Sequence, residues 1–396
     1  MSTLITGATG FLGSHLLLRL LRQGRPVTAL VRQQPDTARA RLARALKAAG
    51  AQPEDLARLP HVTLLRADLT VDRLGLTAPQ HCELAAATEE IWHSAAGIDL
   101  NAPLAALLPS NVDGTRRVLD LAGQRPGGPA RVVHVSTAFV AGGRPDGIVG
   151  EEDLTDRYGF LLPYEETKYR GELLLRAWAQ RTGAAVTVLR PSVLISHRPV
   201  PPGAPHHPQS AVGVQLALAA ARGPAWLAGQ CGVPLDADGR LPARVHTAPG
   251  SVLNLVPADY AADAMLRLAA LDPHRPGVRT HHVVHPTGTP VRRWLAAMAA
   301  RIPWLDLRIE PEPVPFGPVE SYLCALRYGG ERYALLTRRY DRATLDRSDR
   351  AAGIAPPGPL DGEYLADAFG PRRGGVQREP SGSESASGQA AGQAPR

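Results

Sequence analysis

The chain has 396 residues, 44% of them hydrophobic, which is enough for the core of one large domain or two. Its net charge of +7 is spread along the sequence, and aromatic residues make up only 5%, so the stacking surfaces of a single-strand nucleic-acid binder are not expected. Cys82, Cys231 and Cys324 lie far apart, so the sequence predicts neither a zinc site, nor another metal site, nor a disulfide framework. The mild basic charge favours an anionic small ligand over nucleic acid, although duplex binding through arginine stays open.

The N-terminus shows no pattern of a targeting segment. MSTLITGATG enters a strand-like run at once, without a charged region followed by an apolar one. No uninterrupted apolar run approaches the length of a membrane span. We therefore expect a soluble, cytoplasmic protein.

Short β-branched runs alternate with longer helical patterns over the first half of the chain, which indicates βαβ units around a parallel sheet. The predicted strands are 3–6, 27–31, 62–66, 90–93, 131–136 and 186–190. The predicted helices between them are 12–23, 37–49, 111–122 and 164–181. Six strands in this alternation predict an α/β fold with a doubly wound parallel sheet of the Rossmann type.

The regular alternation ends after Pro191. Residues 196–210, SHRPVPPGAPHHPQS, are too rich in proline for a regular element and predict a long loop near the ligand of the sheet. The loop contains His197, His206 and His207, but no acidic or cysteine partner stands at ligand spacing. We interpret these histidines as part of a solvated loop rather than as a metal site.

The remaining chain alternates less regularly. We expect a helical and then irregular segment at 211–250, a strand at 251–256, and a helix at 257–270 that begins with proline. Residues 286–370 mix helices and loops and predict a smaller lobe. The last stretch, 371–396, has Val376 as its only large aliphatic residue, so we expect it to be disordered.

The stretch TGATGFLGSH, residues 6–15, lies between the first strand and the first helix. It places Gly7, Gly10 and Gly13 three residues apart. Glycines there allow a tight turn and a close approach of the backbone to a pyrophosphate, which the helix N-terminus also attracts. The position favours a dinucleotide site over an ordinary glycine turn.

The end of the second strand indicates which dinucleotide binds. A carboxylate at this place accepts from the ribose hydroxyls of NAD, whereas a cation suits the 2′-phosphate of NADP. The sequence VTALVR ends in Arg32 and has no acidic residue before Asp36. This favours NADP(H) over a merely solvated strand end. Arg39, Arg41 and Arg44 on the next helix either add positive field or form a solvated face.

The stretch LPYEETK, residues 162–168, contains Lys168, one of only two lysines among 44 lysine and arginine residues. Residues i and i+4 share one face of a helix, so Tyr164 and Lys168 can point at one ligand. An ammonium lowers the pKa of a neighbouring phenol and can hold a ribose, and the larger, planar arginine suits that place poorly. The pattern predicts a proton-transfer pair.

A third polar group is expected at the end of the fifth strand, where the active sites of open α/β sheets gather. RVVHVSTAFV places Ser136 and Thr137 there. A hydroxyl at this point can donate to a substrate carbonyl as negative charge develops on its oxygen. Either side chain could instead cap the strand end.

The sequence resembles the extended short-chain dehydrogenase/reductases over residues 2 to about 270. The shared motifs, in order, are TGATGFLG, Asp68-Leu69 in ADLT, HSAAG, NVDGT, VSTAFV, Tyr164 with Lys168, and RPSV. LVR after the second strand, STA at the fifth and NLVPADYAADAM at 254–265 look like the thioester-reductase branch, with carboxylic acid reductase and fatty acyl-CoA reductase domains. After RPSVLI the family usually has glycine and a short serine-rich turn; here Ser196, His197 and the proline-rich loop follow, which puts the substrate in doubt.

The resemblance implies roles for individual residues. Tyr164 would donate the proton, Lys168 would be its partner, and Thr137 rather than Ser136 would polarise the carbonyl. Asp68 and Leu69 would contact the adenine, Ala95 the cofactor along the loop after the fourth strand, and Pro191 with Ser192 the nicotinamide side. The full set of implied cofactor contacts is Gly7, Thr9, Gly10, Phe11, Leu12, Gly13, Arg32, Asp68, Leu69, Ala95, Pro191 and Ser192.

The resemblance also implies an activity. NADPH would reduce a carbonyl, above all that of an acyl thioester delivered by coenzyme A or by a separate acyl or peptidyl carrier protein, to an aldehyde or alcohol. The same residues would serve a ketone or sterol dehydrogenase, or a nucleotide-sugar epimerase or reductase. An NADPH-binding regulator without turnover is a further alternative. We expect residues 1–195 and 251–285 to form the NADP-binding core, and 196–250 with 286–370 the substrate lobe.

Overall fold

The computed structural model describes residues 2–271, 273–310, 312–325, 333 and 335–370, so the predicted tail lies outside the described residues. The strands are β1 Thr3–Thr6, β2 Val27–Val31, β3 Thr63–Arg66, β4 Glu90–His93, β5 Arg131–Val135, β6 Ile148–Val149, β7 Ala185–Pro191, β8 Val193–Ile195, β9 Leu241–His246, β10 Val252–Leu253, β11 Leu255–Pro257, β12 Gly277–Val283, β13 Thr289–Pro290, β14 Leu305–Glu310 and β15 Arg339–Tyr340. The helices are α1 Phe11–Arg22, α2 Pro35–Ala48, α3 Pro53–Ala57, α4 Ala78–Ala87, α5 Leu104–Leu108, α6 Gly114–Gly123, α7 Pro163–Thr182, α8 Pro208–Arg222, α9 Pro224–Cys231, α10 Ala258–Ala269, α11 Val291–Ala299, α12 Pro318–Ala325, α13 Ala343–Ala351 and α14 Gly362–Ala368.

Seven of the strands in this described part form one parallel sheet in the order β3-β2-β1-β4-β5-β7-β12. The predicted α/β, doubly wound Rossmann-type fold is confirmed. The six predicted strands match to within one residue at each end. The seventh strand, β12, was missed because its sequence GVRTHHV has a glycine, an arginine and two histidines; pairing with β7 buries its C-terminal half.

Helices cover both faces of the sheet. On one face α1, α2 and α10 pack around Leu16, Leu17 and Met265, and on the other α4, α6 and α7 pack around Val118 and Leu175, all buried. Burying each such side chain contributes about 1.5–3 kcal/mol. The helices therefore fix the strands, and the loops at the carboxyl ends of the strands remain available for a ligand.

A second core lies between the elements that follow β8. Helices α8, α9, α11 and α14 and strands β9 and β14 enclose Leu227, Leu241, Trp294 and Phe369. Residues that precede β8, among them Phe139, belong to the same cluster. This second core holds the chain after residue 195 beside the carboxyl edge of the sheet.

Two predicted elements differ from the structure. The strand expected at 251–256 is divided at Asn254 into β10 and β11. The Asn254 side chain donates to the His285 carbonyl oxygen and accepts from the His285 N–H, each at 2.9 Å. The helix expected from residue 111 is a π-helical turn at Pro109–Asp113 that leads into α6. The Asn111 side chain bonds to the backbone of Gly97, and such turns occur frequently at functional sites.

Among the helices within the described ranges, none has the length and apolar character needed to cross a membrane. Within the described residues, no group of three or more His, Cys, Asp or Glu side chains could hold a metal ion.

Candidate active site

A cleft of about 510 Å³ opens at the carboxyl ends of the parallel strands. The loops after β1, β2, β3, β4, β5 and β7 all reach it, because the ends of parallel strands meet at one edge. Every residue predicted for the site lines this cleft: Gly7, Thr9, Gly10, Phe11, Leu12, Gly13, Arg32, Asp68, Leu69, Ala95, Thr137, Tyr164, Lys168, Pro191 and Ser192. The fold thus brings the predicted set together, although their roles stay predictions.

The glycine turn has the geometry that a pyrophosphate needs. Gly7 has a φ of +75°, and a Cβ on it would lie 2.7 Å from the backbone nitrogen of Ala95. A Cβ on Gly13 would lie 2.0 Å from the Gly7 carbonyl oxygen, so helix and strand can approach only without a side chain there. The backbone at Gly10 leads directly into α1, whose N-terminus attracts anions.

Positive charge lines the part of the cleft that follows β2. Arg32 is exposed, and Arg41 from α2 lines the same wall. Asp68, after β3, accepts from the hydroxyl and the backbone N–H of Thr70 at 2.7 and 2.8 Å. These hydrogen bonds, with a smaller contribution from the Arg32 charge, lower the pKa of Asp68. The wall therefore carries two cations and an ionised carboxylate.

The two hydroxyls after β5 have different surroundings. Ser136 donates to Glu172 at 2.5 Å, and Glu172 forms a fully buried ion pair with Arg190. Thr137 Oγ1 accepts from the backbone N–H of Phe139 at 3.2 Å and lies 3.5 Å from the Pro191 carbonyl. Ser136 thus belongs to a buried structural network, which favours Thr137 as the group that meets a substrate.

Tyr164 and Lys168 lie on the first turns of α7. Lys168 is 4% exposed and donates to the Val135 carbonyl at 2.6 Å, with His134 Nε2 at 3.4 Å. Burial lowers the pKa of Lys168 to about 8. Burial also raises the pKa of Tyr164, and the Glu165 charge adds to the rise. The pKa of the Tyr164 phenol is therefore raised, whereas the sequence predicted that Lys168 would lower it. The phenol stays protonated at neutral pH.

A chain of polar groups beneath the cleft was not predicted. Ala95 N–H donates to Thr6 Oγ1, which lies 2.8 Å from His93 Nδ1, and His93 Nε2 lies 3.1 Å from Thr115 Oγ1. Burial lowers the pKa of His93 to about 3, so the ring is neutral. These hydrogen-bonded groups hold the loop after β4 in place. Only the motif HSAAG pointed to it, and sequence spacing cannot show that Thr6 lies beside His93.

Asn111 was also missed as an individual residue, although NVDGT contains it. Its amide oxygen accepts from Gly97 N–H at 2.6 Å, and its nitrogen donates to the Gly97 carbonyl at 3.0 Å and to Thr167 Oγ1 at 2.9 Å. Asn111 thereby ties the loop after β4 to α7, the helix that carries Tyr164. Asn111 is only 3% exposed, which fits a positioning role.

The interpretation of the histidine-rich segment as a solvated loop is wrong for His207. His207 is only 1% exposed, caps α8 through Nδ1, and lines the cleft; the loop ends there because α8 begins at Pro208. His206 is exposed at the cleft, and the exposed His197 packs against Tyr364 at a ring distance of 4.9 Å. The proline spacing gave no signal for this burial.

The wall of the cleft near Tyr164 includes a residue far along the chain. Tyr333 donates to Glu165 at 2.6 Å and packs on Phe139 with ring centroids 4.6 Å apart. Leu100, Phe139 and Tyr333 belong to one hydrophobic cluster and line the cleft together, which makes this part of its wall apolar. No local pattern indicates Tyr333, because its contacts join residues 168 positions apart.

The family model described as "Male sterility protein" matches residues 5–265, which is more than half of the chain and contains all the predicted site residues. The solved structure of the terminal R domain from the myxalamid PKS-NRPS biosynthetic pathway superposes with a TM-score of 0.68. The superposition covers 93% of this chain and 89% of that one at 22% identity, which is a likeness of fold.

Curated relatives resemble about half of the chain. An isonitrile lipopeptide synthase of Streptomyces coeruleorubidus is 35% identical over 189 residues, 47% of this chain and 13% of the relative. A carboxylic acid reductase of Segniliparus rugosus is 32% identical over 214 residues, 50% of this chain and 18% of the relative. The chain thus spans less than a fifth of the length of either relative.

Proposed function

Since the chain belongs to the male sterility protein family and is an NAD(P)-dependent oxidoreductase of the extended short-chain dehydrogenase/reductase type, we propose that it reduces acyl thioesters with NADPH. The substrate is an acyl group on coenzyme A or on a carrier protein, and the product is an aldehyde or an alcohol. The observation that carries the proposal is the meeting of Thr137, Tyr164 and Lys168 with the glycine turn in one cleft.

The chain's own residues supply the acid chemistry. A bound NADPH would supply a hydride to the carbonyl carbon. Thr137 donates to the carbonyl oxygen as charge develops, and Tyr164 gives that oxygen its proton. Lys168 stabilises the phenolate left on Tyr164 and holds the ribose. The resulting hemithioacetal carbon loses its thiol, which leaves an aldehyde.

The cofactor fits the residues that line the cleft. The tight turn at Gly7, Gly10 and Gly13 suits a pyrophosphate; a Cβ at Gly7 or Gly13 would clash with backbone, so only glycine permits this turn. Arg32 and Arg41 favour a 2′-phosphate over the free ribose of NAD. Asp68, Leu69, Pro191 and Ser192 all line the cleft, where the first two would contact the adenine and the last two the nicotinamide.

The thioester proposal draws on the relatives and on the cleft. The matched relatives include an isonitrile lipopeptide synthase and a carboxylic acid reductase, and the matched structures include a terminal R domain of a PKS-NRPS pathway. A separate carrier protein or coenzyme A would deliver the acyl group to the apolar end at Phe139 and Tyr333. Residues 1–195 and 251–285 would hold the cofactor, and 196–250 with 286–370 would shape the substrate lobe.

Consumption of NADPH across acyl-CoA, carrier-bound acyl, aldehyde, ketone and nucleotide-sugar substrates tests the proposal. We expect oxidation of NADPH with release of free thiol from the thioesters. Activity on ketones or nucleotide sugars with none on thioesters would contradict it. Tyr164→Phe, which keeps the ring and removes the acid, should abolish turnover while cofactor still binds; a biological effect that persists in this variant would favour a regulator without turnover.

The two hydroxyls after β5 make a matched pair for testing the catalytic roles. Thr137→Val keeps the size of the side chain and removes the donor, so we expect kcat to fall by about a hundredfold. Ser136→Ala instead deprives buried Glu172 of a donor, so unfolding should become easier by about 1–3 kcal/mol with a much smaller change in kcat. Steady-state kinetics and urea unfolding separate the two effects, and a larger kcat loss in Ser136→Ala would reverse the assignment.

A further inference from the structure

His207 is a buried polar side chain on the cleft whose second ring nitrogen has no assigned role. Its Nδ1 accepts from the backbone N–H of Ser210 at 3.4 Å and so caps α8. Nδ1 also lies 3.4 Å from the Gln209 side-chain oxygen. We assign Nδ1 as the acceptor of the Ser210 N–H, which leaves the proton of a neutral ring on Nε2. Burial lowers the pKa of His207 to about 4, so the ring is neutral at physiological pH.

The Nε2–H of His207 lacks a hydrogen-bond partner among the described residues. The Ser196 carbonyl lies near the ring, but no described atom meets hydrogen-bond geometry with Nε2. The residue is 1% exposed and lines the cleft. A buried donor without a partner costs free energy, which indicates that a ligand atom accepts this hydrogen bond.

The ring lies beside the N-terminus of α1. Phe11 is the first residue of α1, and its ring centroid lies 5.2 Å from that of His207. A dinucleotide in this fold places its pyrophosphate at that N-terminus, above the glycine turn. The N-terminus of α8, which His207 caps, faces the same cleft through Pro208. A phosphate oxygen of the dinucleotide is therefore the acceptor that we expect for the Nε2–H of His207.

The segment that carries His207 is held at a fixed place. Arg198 pairs with Asp259 on α10 at 3.0 Å through Nε and through Nη2. His207 itself ends the segment as the cap of α8. Both ends are thus tied to helices, and a side chain fixed in this way can bind without first being ordered.

We propose that His207 donates a hydrogen bond from Nε2 to the pyrophosphate of the bound dinucleotide, as a second contact beside the glycine turn. The inference rests on the proposed function only in requiring a nicotinamide dinucleotide in the cleft. It gives the proline-rich segment, which departs from the family pattern, a part in cofactor binding.

Two substitutions separate the two nitrogens. In His207→Asn the amide oxygen replaces Nδ1 as the cap but cannot reach the cleft, whereas in His207→Gln the amide nitrogen reaches the place of Nε2. Fluorescence titration of the full chain with NADPH and with NADH should show both dissociation constants raised about tenfold in His207→Asn. His207→Gln should bind within about threefold of the unchanged chain.

Arg32→Ala is the matched control, because a 2′-phosphate contact affects NADPH and leaves NADH unchanged, whereas the pyrophosphate is common to both. Unchanged dissociation constants in His207→Asn would overturn the inference. Equal weakening in the two His207 variants with a lowered melting temperature would also overturn it, in favour of a purely structural cap. A wild-type chain that binds neither dinucleotide would refute the cofactor assignment itself, so the two failures are distinguishable.

Discussion

Lys168 shows at the scale of one residue why a chain so rich in arginine has lysine at this place. The side chain enters a space bounded by the Val135 carbonyl and the ring of His134, at 2.6 and 3.4 Å. A compact ammonium fits there, whereas a guanidinium would have to place five N–H donors in the same buried space. Burial brings the pKa of Lys168 to about 8, within the range where its charge can control activity.

Turnover should depend on the charge of Lys168. Below pH 8 the ammonium is present and can stabilise the Tyr164 phenolate; above it the charge is lost, so kcat should fall as pH rises through about 8. The buried ammonium also disfavours folding, because the unfolded side chain binds its proton more tightly; this cost should diminish as pH rises from 8 towards 10.5. A pH profile of kcat with saturating NADPH measures the first effect.

Lys168→Arg gives the contrasting outcome. Arginine stays charged, but its size should displace it from the Val135 carbonyl, so we expect loss of turnover at all pH values by a hundredfold or more. Full activity in this variant would show that the shape of the ammonium is irrelevant, and a wild-type profile that stays flat to pH 10 would remove Lys168 from the proton chemistry.

Asp259 connects three elements around the cofactor cleft. It accepts from His15 and Arg19 on α1, at 3.1 and 3.3 Å, and from Arg198 in the proline-rich segment at 3.0 Å. Burial by itself raises the pKa of Asp259, but these donors and their charges outweigh it, so the pKa lies well below its usual value. The junction explains how a segment without regular structure keeps a fixed place beside α1.

Asp259→Ala should loosen the proline-rich segment and weaken dinucleotide binding. We expect the dissociation constant of NADPH to rise several-fold, because the segment would need to be ordered when the ligand binds. Asp263→Ala is the control: Asp263 lies one turn later on α10 and pairs with Arg19 at 3.0 Å, whereas the ion pair with Arg198 is made by Asp259. Titration of both variants with NADPH compares their dissociation constants. Equally weakened NADPH binding in the two variants would show that α10 acts only through Arg19.

At the scale of the whole molecule, α14, the last helix of the described residues, closes the second core against α8. Gly213 in α8 permits this contact, since a Cβ there would lie 1.7 Å from the Phe369 carbonyl oxygen. Phe369 also packs on Trp294 of α11, with ring centroids 5.8 Å apart. Helices α11 and α14, which lie beyond the family-matched region, therefore pack in the same core as α8, whose first residue Pro208 lines the cleft.

Gly213→Ala should push α14 away from α8 and lower the free energy of unfolding by about 1–3 kcal/mol. Gly229→Ala in α9 is the control, because a Cβ there meets nothing within 4 Å; it should raise stability by about 0.5–1 kcal/mol through helix propensity. Urea unfolding of both variants compares them. A stabilising Gly213→Ala would show that the α8–α14 contact yields without cost.

The sequence by itself determined the doubly wound sheet, the glycine turn and the Tyr164–Lys168 pair, because these depend on local signals: hydrophobic period, glycines at the first turn, and i, i+4 spacing. Asp68, Leu69, Ala95, Pro191 and Ser192 were implied by the family resemblance instead. Strand β12 escaped prediction, since its burial arises from pairing with β7 and not from its own composition. The choice between Ser136 and Thr137 was first suggested by family resemblance, and the buried Glu172 now supplies a physical reason.

Only the tertiary structure decided the contacts between distant segments. Tyr333 beside Glu165, Asp259 beside Arg198 and His207 beside Phe11 each join residues whose separation along the chain carries no pattern. Local sequence encodes the period of an element and the geometry of a turn. It does not encode which side chain a fold places opposite another, because that depends on how the helices pack over the whole sheet.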